Sequence, residues 1–168
     1  MLIGGATVNF DERLQRAIQR GNRAAQLRRG EEEAQALSEE QCKRLHQQYR
    51  LRLSEHIEKC LRQLPRHLPG FQYENVVSDR GWGAAVSRDD ADFGPGRMRT
   101  NVFSRLEIVV RPYSPAHVLE LEARGTIRNK EVYHPSQYHP LAEVDIERFE
   151  ELIDLWVLEY AELYSERQ

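Results

Sequence analysis

The chain is poor in the residues and motifs that most readily betray a function. It has only two cysteines, two methionines and two tryptophans in 168 residues. Cys42 and Cys60 fall on one predicted helix, about 27 Å apart at 1.5 Å per residue, too far to bridge within it. They read as two small, buried apolar residues in a reducing compartment. No run approaches the roughly 18 uncharged apolar residues of a membrane span. Met1 to Val8 is apolar but has no basic region before it, so it does not read as a secretory signal. The expectation is a soluble, cytoplasmic protein without a membrane partner.

Catalytic and cofactor motifs are missing too. Gly94-Pro95-Gly96 with Arg97 is not followed by Gly-Lys-Ser/Thr, which excludes a phosphate loop. Asp89, Asp90 and Asp92 with Gly94 suggest an oxygen-rich cation loop. An EF-hand needs Glu at its twelfth position, and counting from Asp90 that residue is Asn101. No serine stands in a nucleophile elbow. Glu150 and Glu151 read as solvation rather than acid–base chemistry. No cofactor and no catalytic residue is expected.

What is present is a strong asymmetry of charge. The net charge is −3, but residues 1–66 carry 13 basic and 9 acidic side chains and residues 143–168 carry 2 and 9. Opposite ends attract, within one chain or between two. The first helix is expected from Phe10 to about Arg29, opened by an Asn9/Glu12 capping box and stopped at Gly30. Its apolar stripe is thin, with Leu14, Ala17, Ile18, Ala24 and Ala25. Ala17, Gly21, Ala24 and Ala25 form a small-residue seam. Alone, such a helix is marginal. Ser38 with Gln41 suggests a second capping box, Leu37 with Cys42 a hydrophobic staple, and Cys42, Leu45, Tyr49, Leu53, Ile57, Cys60, Leu61 and Leu64 an amphipathic helix ended by Pro65.

Residues 71–134 change to a period of two. Strands are expected over 71–77, 82–88, 100–111, 117–128 and 131–134, with a turn at Ser78-Asp79-Arg80-Gly81 and a loop over 89–99. Gly83, Ala84 and Ala85 suit a helix packing closely over the sheet, and Trp82 reads as a core aromatic. Pairing Arg111 with Glu120 and Glu107 with Arg124 joins opposite charges and keeps the apolar faces together. A last helix, capped by Asp145, runs to about Tyr164. The fold class is therefore α+β: N-terminal helices, an antiparallel meander of about five strands, and a C-terminal helix on one sheet face. Residues 1–36 are expected to form a basic helical extension and 37–168 a single domain.

Three places are candidates for function. The closing helix is apolar around most of its circumference. Its two sides, Leu152-Trp156-Tyr160-Leu163 and Leu155-Leu158, do not both fit one flat sheet, so a second helix or second chain must cover the remainder, and a contact is expected around Leu152, Trp156 and Tyr160. Arg13, Arg16, Arg20 and Arg23 crowd the first helix. A basic helix can bind phosphate backbones, but no aromatics are interleaved and Glu31, Glu32 and Glu33 follow at once. The echo Tyr133-His134-Pro135 and Tyr138-His139-Pro140 sets two imidazoles and two phenols within eight residues, without the carboxylate or thiol that completes a zinc site. It reads as a structural loop or contact surface. The leading expectation is a non-enzymatic interaction or assembly module, adaptor or chaperone-like, whose partner is protein and includes a second copy of itself. A nucleic-acid- or ribosome-associated factor using the arginine helix comes second. Small-molecule or metal binding between the 89–99 and 134–139 loops comes third.

Overall fold

The computed structural model describes residues 9–93, 96 and 99–168. The Met1–Val8 segment, and the Gly94, Pro95 and Arg97 positions of the glycine–proline loop, lie outside the described residues. Two compact units divide the chain, Met1–Gln41 and Cys42–Gln168.

In the first unit the described residues from Phe10 onward belong to helix α1, which runs Phe10–Leu61. Asn9 accepts the backbone hydrogen bond of Arg13 at 3.2 Å, and Asp11 and Glu12 complement the positive end of the helix dipole. Two expectations fail here. Gly30 does not stop the helix, and Ser38 and Gln41 lie inside it rather than at a cap. A glycine ends a helix by taking a left-handed conformation, and Gly30 does not take one. Within a helix it costs only about 1 kcal/mol, which Ala-, Arg-, Gln- and Glu-rich neighbours of high propensity offset. Phe10, Leu14, Ile18 and Leu27 stay 71%, 46%, 54% and 70% exposed.

The second unit is the α+β domain. The later turns of α1 bury Leu53, Ile57 and Leu61. The helix ends at Leu61, and Pro65 stands in the first turn of the short helix α2 (Leu64–His67), where a missing N–H is tolerated. Strands β1 (Gln72–Ser78), β2 (Gly81–Phe93), β3 (Arg99–Val110), β4 (Val118–Ile127) and β5 (Lys130–Tyr133) follow in an antiparallel meander, with β6 (Ser136–Pro140) also on β4. Gly81 makes the β1–β2 turn at φ 142°, a conformation that side chains disfavour. Strand β2 extends to Phe93, beyond the expected Arg88, so part of the expected 89–99 loop is strand.

The β3–β4 register joins Glu107 to Arg124 as expected, and the Arg111 N–H reaches the Glu120 carbonyl at 2.8 Å. Strand β6 is a departure from the sequence reading. Residues 133–140 run along β4 in one register, from Tyr133 opposite Gly125 to Pro140 opposite Val118. Proline removes a ladder donor, but an edge strand has donors to spare. Pro135 even contributes its carbonyl, which accepts from Ala123 N–H at 3.0 Å.

One sheet face, with Ala84, Val86, Leu106, Ile108, Val110, Leu119, Leu121, Ala123 and Ile127, forms a single core with α1 and the closing helix α3 (Ile146–Glu166). Asp145 holds the N-cap position of α3 without a side-chain cap bond. Trp82 is half-buried rather than a core residue, with the Arg50 guanidinium 4.2 Å from its ring centre. Gly83 serves a close approach of strands rather than of a helix, because a Cβ there would collide with the Ile108 carbonyl.

Candidate functional site

The seam between α1 and α3 in the second unit carries a row of polar contacts at four-residue steps. Arg52 Nε meets Glu150 Oε1 at 2.6 Å, so Glu150 is an ion-pair partner and not only a solvating residue. One turn further, His56 Nε2 lies 2.8 Å from Asp154 Oδ1. Cys60, one turn beyond His56, donates its thiol proton to the same Asp154 oxygen at 3.1 Å, and its sulfur is 3.6 Å from His56 Nε2. The spacing of four puts His56 and Cys60 on one helix face, and α3 supplies the carboxylate. Beside them runs a groove of about 600 Å³, lined by Leu64, His67, Val157 and Leu158 among others.

Cysteine, histidine and aspartate together invite comparison with a nucleophilic triad. The geometry rejects it. In a triad the imidazole stands between the other two groups, one ring nitrogen to each. Here the same nitrogen, Nε2, faces both Cys60 and Asp154. The thiol is also held protonated: burial, then the hydrogen bond to Asp154, push Cys60 up to about 12. A neutral thiol is a poor nucleophile. The three groups converge on one point instead of forming a relay. Cys60 is therefore more than the small apolar residue expected of it, whereas half-buried Cys42 packs at the edge of the core.

The other sheet face carries an ionic lattice. Glu122 receives Arg80 at 3.0 Å and His134 at 2.9 Å, with Arg111 and Arg124 at 3.7 and 3.5 Å. Glu107 lies between Arg80 and Arg105, and Arg105 also binds Glu74. Burial alone raises the Glu122 pKa, but hydrogen bonds from His134 and Arg80 and the charges of Arg80 and Arg111 outweigh it, leaving a net lowering. Val76, Ala85 and Val109 form a small buried cluster on this face. Arginines already engaged by carboxylates offer little to a phosphate backbone.

The sequence candidates do not converge. Trp156 and Tyr160 are 4% and 0% exposed, taken up by the chain's own core, and Leu152 is half-buried. Trp156 and Tyr160 thus face inward, whereas Leu152 borders a surface cavity with His139 and Phe149. Helix α1 meets α3 along Glu150 and Asp154, a different face from Leu152, Trp156 and Tyr160, and Leu155 and Leu158 remain exposed. Half-buried Tyr133 donates to Glu159 on α3. His134 joins the ionic lattice, His139 lies edge-on to Phe149 at 5.9 Å, and Tyr138 is exposed. The two histidines of the echo are thus engaged by different neighbours. Among the described residues they join no group of three metal-binding side chains; His56, Cys60 and Asp154 do. Arg13, Arg16, Arg20 and Arg23 are exposed on α1. The His-x-x-x-Cys spacing of residues 56–60 was the available sequence signal for the seam. Comparisons with protein-family models, with curated proteins and with solved structures find no match to this chain.

Proposed function

We propose that the protein is a non-enzymatic assembly module that pairs with a second copy of itself, antiparallel, through residues 10–41 of α1. The observation that carries this reading is the exposure of Phe10, Leu14, Ile18 and Leu27 on one helical stretch. Each large side chain gains about 1.5–3 kcal/mol when fully buried, and a helix without a covered face is marginal in water.

Charge argues for a second copy as the occupant. Residues 10–29 hold six arginines against two acids, and residues 30–41 hold five glutamates and no base. Parallel pairing sets like against like, whereas antiparallel pairing sets the arginine stretch against the glutamate stretch. An antiparallel pair is two-fold, and Ala17, Gly21 and Ala24, at i, i+4 and i+7, set small residues on the helix face that also carries Leu14 and Ile18. Such an isologous seam closes as a dimer, and small residues let the helices approach closely.

Mass measurement across micromolar concentrations tests the reading. The full chain is expected to dimerise, Leu14→Glu with Ile18→Glu to leave a folded monomer, and salt to weaken the dimer. A monomer throughout overturns it. So does salt-sensitive binding of the monomer to a generic nucleic-acid duplex that is lost in Arg16→Glu/Arg20→Glu, which would favour the nucleic-acid role for the same arginines.

A further inference from the structure

The convergence of His56, Cys60 and Asp154 supports an inference independent of self-association. We propose that these three side chains bind a divalent transition-metal ion of the zinc class, clipping α1 to α3. Their ligating atoms all lie within 4.8 Å of one another. A tetrahedral zinc ion, with Zn–S about 2.3 Å and Zn–N or Zn–O about 2.0–2.2 Å, separates its donors by roughly 3.3–3.6 Å. The sulfur–imidazole separation of 3.6 Å already meets this. The two contacts to Asp154, at 2.8 and 3.1 Å, need to open by about half an ångström, within reach of the partly exposed Asp154 side chain.

The donor set selects the ion. A thiolate with an imidazole and a carboxylate suits zinc and its neighbours, whereas magnesium and calcium call for an all-oxygen shell. His56 supplies Nε2 as a neutral imidazole. The metal replaces the Cys60 thiol proton, which passes to solvent, with no change of oxidation state. Three protein donors leave the fourth position to water or to a ligand from the adjoining groove, where His67 also stands.

The test is titration of the full chain with Zn²⁺ in competition with a chromophoric chelator, followed by Co²⁺ as a spectroscopic probe. One Zn²⁺ per chain is expected. A thiolate-to-cobalt charge-transfer band is expected in the wild type and in Cys42→Ser and is expected to vanish in Cys60→Ser. Asp154→Asn should weaken Zn²⁺ at least as much as the roughly 10–100-fold that loss of an outer-shell partner costs. Zn²⁺ should also raise the unfolding temperature of the wild type, since the ligands converge only in the folded chain. Sub-stoichiometric Zn²⁺, or a cobalt spectrum of the wild type without the thiolate band, overturns the proposal. The wild-type spectrum is decisive even if a variant fails to fold.

Discussion

Residues 10–41 and 42–61 belong to one helix, yet their side chains meet opposite fates. The first stretch keeps Leu14 and Ile18 about half exposed, and the second buries Leu53, Ile57 and Leu61 completely. Neither stretch lacks helix formers. What differs is the size and spacing of the apolar residues. In the second, large aliphatics recur at four-residue steps and fill the space over the sheet. In the first, Phe10, Leu14 and Ile18 keep that step for two turns, and beyond them alanine and glycine interrupt the stripe. Helix propensity extends α1 through both, and side-chain volume decides which part of it anchors a domain.

The sharpest way to break this comparison is the same substitution at two isoleucines of one helix. Ile57→Ala removes a fully buried side chain from the core and is expected to cost about 2–5 kcal/mol of unfolding free energy in denaturant titration. Ile18→Ala is expected to stay within about 0.5 kcal/mol at concentrations where the chain is monomeric. Equal losses would mean that the first stretch is packed within its own chain.

Two glycines extend the comparison at smaller magnitude. A Cβ at Gly125 would lie 2.8 Å from the Tyr160 ring and 3.0 Å from Tyr133 Cβ. Gly125→Ala should therefore cost about 1–3 kcal/mol through overpacking, and Tyr160 cannot easily yield because its hydroxyl donates to the Thr126 carbonyl at 2.8 Å. Nothing lies within 4 Å of a Cβ at Gly30. Gly30→Ala should raise the helical circular-dichroism signal of the monomer and stabilise the helix by up to about 1 kcal/mol. A loss of helicity would show that Gly30 is needed as a break.

The same logic accounts for what could be read without coordinates. The β3–β4 pairing was legible because a one-residue slip would send Leu106, Ile108 and Val110 to the ionic face and part Glu107 from Arg124. Strand β6 was not, because Pro135 and Pro140 are strand-breakers anywhere but at an edge, and which strand is the edge is a property of the whole sheet. The continuity of α1 was hidden by Gly30 and Ser38, whose stop and cap signals are local while the helix is held by its neighbours on both sides. The metal-binding candidate was half visible. His56 and Cys60 announce a shared helix face, but Asp154 lies 94 residues beyond Cys60 and only tertiary packing brings it there. Trp156 and Tyr160 were legible as large apolar anchors, but that Tyr160 would bond to the Thr126 carbonyl and pack over Gly125 depended on a helix–sheet pairing that periodicity does not specify.

Titration separates the two stretches of α1 again. The first has no histidine, whereas the second holds His46, 3% exposed, with Nε2 at 3.1 Å from the Arg111 carbonyl. Burial lowers its pKa from the ordinary 6.5, the hydrogen bond to Arg111 opposes that, and the Arg50 charge adds to it. The unfolded chain therefore takes up this proton before the folded one. The stabilisation is present above about pH 6.5 and is lost as pH falls through the lowered folded value. Denaturant midpoints should drop across that window, and His46→Gln should flatten the drop. An unchanged slope would place the titrating group elsewhere.

The smallest expected effect bears on whether surface charge could decide which stretch anchors the domain. Glu58 and Arg62 form an i,i+4 ion pair at 2.8 Å, with about half of each side chain exposed. A double-mutant cycle with Glu58→Gln and Arg62→Gln should return a coupling of about 0.3–0.5 kcal/mol at low salt. It should fade towards zero in molar salt, where the Debye length shrinks to about 3 Å. Arg62 also stacks over Tyr73, 4.1 Å from the ring centre. The Arg62→Gln single variant should therefore lose more than the coupling does, and only the cycle isolates the pair. A coupling well above 1 kcal/mol that survives salt would mean that charge shares the anchoring with Leu53, Ile57 and Leu61. A weak, screened coupling leaves buried volume as the difference between the stretches.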